Sequence, residues 1–233
     1  LKAVNKNQNR VSDYQNAIRA WKKFPVVVTA AYIVGLPYDT PESVSRDMET
    51  IKRELPIDTI YFSNLTPLPG SIDHKRMVEA GEWMSQDLNK YDVHHCVTKH
   101  PVMTEEQWQQ ANKNAWKEFY TFEHMETILR RMVACRNNKK ITTINRLALY
   151  SYFGCKTSIH PIDGGIFRKK YRRDRRPEMG LENPVVFYWK YAREILGTTI
   201  GISSRYCLLM RAYKKIIRCA DKYDYTDQAL GEQ

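Results

Sequence analysis

The stretch AYIVGLPYDTPESV, residues 31–44, decides the fold: an apolar run stops at Gly-Leu-Pro and hands over within a few residues to a helix N-terminus. Upstream, VVVTAAYIVGL (26–36) is almost continuously apolar and β-branched, the pattern of a strand covered on both faces in a parallel sheet. A strand is therefore predicted over Val26–Val34, with Pro25 ending whatever helix precedes it. Downstream, Thr40 is placed to cap a helix that has Pro41 at its first position and Glu42 near the positive end of its dipole. Val44, Met48, Ile51 and Leu55 form its apolar stripe, and Pro56 ends it. DTIYFSNL (58–65) is then a second strand, and a strand-helix-strand unit of this length implies a right-handed parallel crossover.

In parallel sheets and barrels, functional groups gather at the C-terminal strand ends, where loops meet helix N-termini. Here those ends are Gly35-Leu36-Pro37 and Ser63-Asn64-Leu65-Thr66-Pro67-Leu68-Pro69-Gly70. Gly35 gives a ligand access to backbone, Pro37 and Pro67 stiffen the loops, and Asn64 and Thr66 supply hydrogen bonds. The competing reading is that both are ordinary turns. Asp39 reads more simply as a turn aspartate beside a helix cap than as a ribose or substrate contact.

On either side of this unit the grammar is helical. Ser12 to Gln15 fits a capping box with Val11 as staple, and Tyr14, Ala17, Ile18 and Trp21 recur at helical spacing, predicting a helix over Asp13–Lys23. After Ser71 come a short helix ending near Gly81, a helix opened by the Thr104 and Gln107 capping box, another in FEHMETILRRMVAC (122–135), and one over Ile141–Phe153. Trp108, Trp116, Met125 and Met132 fall at core positions. The last third is aromatic and amphipathic, with closely spaced charges.

The 233 residues carry 37 basic and 26 acidic side chains, a net charge of +11, which favours an anionic partner without choosing one. The 42% apolar content supports a globular core. Five irregularly spaced cysteines suggest neither a disulfide framework nor a C-x-x-C knuckle, so a reducing cytosol is the expected compartment. No stretch reaches the length of a membrane span. The chain opens at Leu1 without methionine and reads as a piece of something longer.

Two clusters invite sharper readings. HHCVTKH sets His94, His95, Cys96 and His100 within seven residues. Adjacent histidines point opposite ways on an extended segment, so a linker or substrate-pocket wall is preferred to a zinc or cobalt site. Arg168, Lys169, Lys170, Arg172, Arg173, Arg175 and Arg176 form a basic run followed by Phe187, Tyr188, Trp189, Tyr191, Ile195 and Leu196. A solvated loop is the commonest fate of such a run. Residues 168–220 also suit an anionic membrane surface, and nucleic acid comes third because no RNA-binding fold accompanies the charges.

Three stretches, LKAVNKNQNRVSDYQNAIRAW, AAYIVGLPYDTPESVSRDMETIK and DTIYFSNLTPLPGS, together resemble the C-terminal half of the radical S-adenosylmethionine (SAM) barrel. YDVHHCVTKHPVMTEEQWQQANKNAWKEFY, FEHMETILRRM and HPIDGGIFRKKYRRDRRP are similar to the tail of its cobalamin-binding members. The resemblance implies an α/β chain: residues 1–74 as the C-terminal portion of a (β/α)6 barrel with two parallel strands, and residues 75–233 as a mainly helical extension. It places the family's fifth-strand G-x-I-x-G-x-x-E on Ala31, Ile33, Gly35 and Tyr38, so the first glycine and the glutamate are unmatched. Ile33 would touch the SAM adenine, Gly35 would give it room, and Asn64, Leu65 and Thr66 would meet it through backbone groups.

The parent enzyme so implied cleaves SAM at a 4Fe-4S cluster and uses cobalamin for methyl transfer or another radical modification of an unreactive carbon. The cluster needs C-x-x-x-C-x-x-C, yet no two cysteines here lie closer than 12 residues. The expectation is therefore a C-terminal fragment, inactive alone, that forms one side of the SAM site and part of a cavity for a small or lipid-like substrate. Its first partner is the missing N-terminal part. The alternatives are a non-catalytic membrane-surface or scaffold module and an RNA-binding module. The free edge of the first strand is expected to leave apolar surface exposed and to favour association.

Overall fold

The computed structural model describes residues 11–163, 169–175 and 178–231. Its elements are α1 (Val11–Lys22), β1 (Thr29–Val34), α2 (Pro41–Glu54), β2 (Thr59–Asn64), α3 (Ile72–Glu79), α4 (Glu105–Phe119), α5 (Phe122–Ala134), α6 (Lys140–Thr157) and α7 (Pro184–Ile216). The class is mixed α/β, with seven helices and one parallel pair of strands running from Thr29↔Thr59 to Val34↔Asn64. α2 connects the strands, as the crossover predicts. It is opened by the expected Thr40 cap with Pro41 behind it, though its reciprocal partner is Ser43. Thr104 and Gln107 open α4 as a capping box.

Side-chain alternation sorts the sheet into two unlike faces. Tyr32 and Val34 of β1 and Ile60, Phe62 and Asn64 of β2 point toward α2 and α4: the Tyr32 hydroxyl donates to Asp47, and Phe62 packs edge-on against Trp116. Val44 and Met48 of α2 and Trp108, Ala111, Ala115 and Trp116 of α4 complete this core, which continues through Ile128, Leu129 and Met132 of α5 and Ile144 and Leu147 of α6. Described residues on both sides of position 74 thus share one core. On the other face, Thr29 and Ala31 are exposed and Ile33 half-buried. The expectation of a strand covered on both sides is corrected: among the described residues β1 has a helix layer on one face, while on the other α6 reaches it only through Arg146, which donates to Thr29.

Three further expectations shift. β1 begins at Thr29, not Val26, because the partner strand begins at Thr59; before it the Asp58 carboxylate takes the Val28 N–H (2.7 Å) and the Lys22 ammonium (2.5 Å). α1 already includes Ser12, so that residue does not stand as its N-cap, and residues 1–10 of the first resembling stretch lie outside the described residues. Its apolar stripe is split: Ile18 packs against the core, whereas Tyr14 and Trp21 are exposed.

The strand edges differ as sharply as the faces. In a parallel ladder, alternate residues of a strand bond to opposite neighbours. Val28 and Val34 accept from Thr59 and Leu65, so Ile60, Phe62 and Asn64 turn their backbone groups away from β1. There the Tyr120 hydroxyl accepts from the Ile60 N–H (3.0 Å) and donates to the Ile60 carbonyl (2.6 Å), and the Val93 carbonyl accepts from the Asn64 N–H (2.7 Å). A phenol stands in for a third strand. By the same alternation Thr29, Ala31 and Ile33 face the free edge of β1, where no strand among the described residues pairs.

The C-terminal segment returns to the sheet end of the molecule. Buried Arg131 of α5 donates to the Lys52 and Leu55 carbonyls at the end of α2 and pairs with Asp227 (2.7 Å). Arg19 of α1 donates to the Gln228 and Ala229 carbonyls. Replacing Tyr120 by Phe strands two buried backbone groups of β2 and is expected to cost about 2 kcal/mol. In urea denaturation this appears as a lower midpoint at unchanged slope.

Candidate functional site

The two strands end side by side, which brings Ile33, Gly35, Leu65 and Thr66 to one rim. Ile33 pairs with Ser63, and both belong to the open face; the Leu65 N–H donates to the Val34 carbonyl (2.8 Å). Asn64 is different. It is buried on the covered face, where its amide donates to the His94 carbonyl (2.9 Å) and its oxygen accepts from Asn112 (3.0 Å). The Thr66 hydroxyl donates to the Asn64 carbonyl (3.1 Å). The side-chain hydrogen bonds expected of Asn64 and Thr66 are thus made inside the protein, leaving backbone groups as what this strand end offers a ligand.

Gly35 has a structural reason to be glycine. Its φ is +98°, and a Cβ there would lie 2.1 Å from the Trp108 indole, whose N–H donates to the Val34 carbonyl (3.0 Å). The space expected for a ligand is filled on that side by tryptophan. The Gly35 and Leu36 N–H groups both donate to the Asp39 carboxylate (2.8 and 2.9 Å), which is the turn aspartate of the sequence reading. Burial pushes the Asp39 carboxyl up, and these two N–H groups partly offset it.

The histidine-rich linker does not converge. His100 Nδ1 accepts from the Val102 and Met103 N–H groups, so its Nε2–H donates to the Leu36 carbonyl (2.9 Å) while the ring packs edge-on against Trp108. His95 pairs with Asp92 on the surface (2.9 Å). The Cys96 thiol is buried and pushed up to about 12 by that burial, with the Glu105 charge adding to it. Neither nitrogen of the His94 ring has a hydrogen-bond partner among the described residues, and the Asp163 carboxylate lies 3.6 Å away. No group of three His, Cys, Asp or Glu side chains among the described residues is placed to hold a metal ion. The linker acts as a clamp: Val93, at the unusual φ of 61°, turns its carbonyl to β2.

Residues that sequence reasoning passed over stand on the open face. Tyr61 sits between Thr59 and Ser63, and the His160 ring packs edge-on against both Tyr61 (5.3 Å) and Tyr150 (5.2 Å) while bonding to the Tyr150 hydroxyl (2.9 Å). Strand parity alone assigned Tyr61 to the side of Ile33 and Ser63. The reach of the HPIDGG loop back to it had no local signal.

The basic run is less free than its sequence suggests. Lys170 pairs with Glu194 (2.5 Å), and Arg175 and Lys190 both pair with Glu182 (2.9 and 2.6 Å). Arg168 and Arg176 lie outside the described residues. Along α7, Val185, Tyr188, Trp189, Leu196 and Ile200 are exposed on the side away from buried Thr198, Leu209 and Ala212. No helix among the described residues is long and apolar enough to cross a membrane.

With this geometry in view, the chain is similar to two methyltransferases. Over 95 residues, 41% of this chain and 20% of the relative, it is 28% identical to bacteriochlorophyllide d C-12(1)-methyltransferase of Chlorobaculum tepidum. Over 127 residues, 51% of this chain and 28% of the relative, it is 27% identical to an uncharacterized methyltransferase of Pyrococcus horikoshii. The matched parts span about a fifth and just over a quarter of these curated relatives. No family model matches, and no solved structure does.

Alanine at Gly35 meets both the positive φ and the indole, and is expected to cost about 3 kcal/mol. A double-mutant cycle with Trp108→Leu checks the cause: the two losses should be less than additive, because the smaller side chain relieves the collision but not the backbone strain.

Proposed function

We propose that this chain is the closing, C-terminal part of a SAM-dependent methyltransferase of the radical SAM type, contributing one wall of the SAM site. The observation that carries this is the asymmetry of the two strand edges. β2 is terminated by the Tyr120 hydroxyl and the Val93 carbonyl, whereas the outer edge of β1 is unpaired among the described residues. A sheet finished on one side and open on the other fits the last two strands of a longer parallel series, with earlier strands adding at β1. The similarity to methyltransferases several times longer than the matched segments points the same way.

In this reading the rim formed by Ile33 and the backbone of Gly35, Leu65 and Thr66 receives the adenine of SAM, with Asn64 positioning the strand end. SAM supplies the activated methyl group. The residues here do not fit a 4Fe-4S cluster: Cys96 is buried, and the five cysteines stand apart in sequence. Cluster and cobalamin therefore belong to the upstream part of the parent, and this chain by itself holds the nucleoside but does not activate it. The substrate is a small or lipid-like molecule with an unreactive carbon.

The outward apolar stripe of α7 favours a second reading, in which this helix rests on an anionic membrane. Arg193 lies over the Trp189 ring (5.3 Å), a pairing suited to the headgroup level, and Lys169 and Arg173 are exposed nearby. Because Lys170, Arg175 and Lys190 already have acidic partners, apolar contact would supply more of the binding than the charges do.

Titration with millimolar SAM, followed by backbone amide NMR, tests the first reading. Shifts should concentrate at Ile33, Gly35, Leu65 and Thr66 and vanish in Ile33→Arg; no response, or one confined to other surfaces, would remove the assignment. For the second, flotation with phosphatidylserine vesicles should fall about tenfold in Trp189→Glu/Leu196→Glu and much less in Lys170→Glu. Equal retention by all three proteins would count against α7 as the contact.

A further inference from the structure

An open hollow lies at the N-terminal ends of the strands, the opposite end from the rim just described. Its volume is about 910 Å³, between the end of α1, the lead-in to β1, α6 and the loop 160–162. That is the size range of sites that hold drug-sized molecules. Trp21, Phe24, Val26, Val27, Leu149 and Ile162 make its walls apolar. Its polar side chains are Thr29 of β1, Arg146 and Tyr150 of α6 and His160 of the loop that follows.

Arg146 is the single formally charged residue of the lining, and no acidic side chain joins it. One of its terminal nitrogens donates to the Thr29 hydroxyl (3.0 Å), and it forms no ion pair among the described residues. One turn further along the same helix face stands Tyr150. The His160 ring fixes the direction of the phenol's hydrogen bond: Nδ1 accepts from the Ile162 N–H (3.2 Å), so Nε2–H donates to the Tyr150 oxygen (2.9 Å). Burial holds the His160 imidazole below its usual range and raises the Tyr150 phenol, so the first is neutral and the second keeps its proton. The Tyr150 O–H then has no acceptor among the described residues. A guanidinium and a phenol donor, four residues apart in an otherwise apolar cavity, match the two oxygens of a carboxylate.

We infer that this cavity binds a small apolar molecule carrying one carboxylate, with the acid group on Arg146 and Tyr150 and the apolar body against Trp21, Phe24 and Val26–Val28. The site is separate from the SAM rim and does not depend on that reading. Charge complementarity selects the occupant: a neutral hydrocarbon would leave Arg146 and the phenol proton unpaired beneath it, and a cation would be repelled.

Fluorescence anisotropy of 1-pyrenebutyrate against the full chain, with 1-pyrenebutanol as the neutral isostere, tests the proposal. The acid should bind at one site, about tenfold tighter than the alcohol, a difference of roughly 1.4 kcal/mol. Arg146→Gln should erase that preference by weakening the acid while leaving the alcohol unchanged, and Tyr150→Phe should reduce it several-fold. Arg146→Lys should restore part of it, which separates loss of the charge from loss of the fold. Equal affinity for acid and alcohol would overturn the proposal, as would an undiminished preference in Arg146→Gln. So would a wild-type dimer by light scattering that excludes both probes, which would give the cavity to a second copy.

Discussion

The molecule depends on how a parallel sheet of two strands, marginal alone, is closed on one face. The cover comes from α2, which the crossover supplies, and from α4, which lies some 40 residues beyond β2. Trp108 hydrogen-bonds the last carbonyl of β1, Trp116 packs on Phe62, and Tyr120 completes the backbone of Ile60. Three aromatic residues, one in the first turn of α4, one in its last and one at its C-cap, thereby fix strand register, strand end and strand edge. Gly35 and Asp39 follow from this: the chain can leave β1 beneath the indole only with a positive φ and a carboxylate to take the two freed N–H groups.

What the sequence disclosed was local. Thr40-Pro41 and Thr104 with Gln107 announce helix starts because a cap and its partners lie within three residues, and Val44, Met48, Trp108 and Trp116 announce core by their spacing. Their parallel arrangement followed from connection length. The misreadings concern what lies far away in the chain. VVVTAAYIV looked like a doubly covered strand because composition reports what a strand tolerates, not what the described residues place against it. The packing reason for glycine at position 35 was hidden because the indole that abuts it on one side is 73 positions on. The basic run looked free because Glu182 and Glu194, which neutralise part of it, come later on a different element.

The candidate site shows the same division. Thr66 drew notice from its strand end, and Ile33 and Leu65 through the resemblance, whereas the open-face trio Tyr61, Tyr150 and His160 required three separate segments to meet. Their placement leaves the sheet with two ends of contrasting chemistry. The C-terminal rim offers backbone groups beside a buried, fully bonded Asn64, while the other end offers an apolar hollow with two donors on one helix turn.

The phenol seated on Ile60 also sets a stoichiometry. A strand pair with two bare margins can add copies without limit, the route to fibrils. With one margin sealed by Tyr120 and Val93, self-association through the ladder has a single valence, so two copies joining at β1 would exhaust it in a four-stranded, two-fold arrangement. The seal turns a hazard of runaway growth into one that halts at a pair.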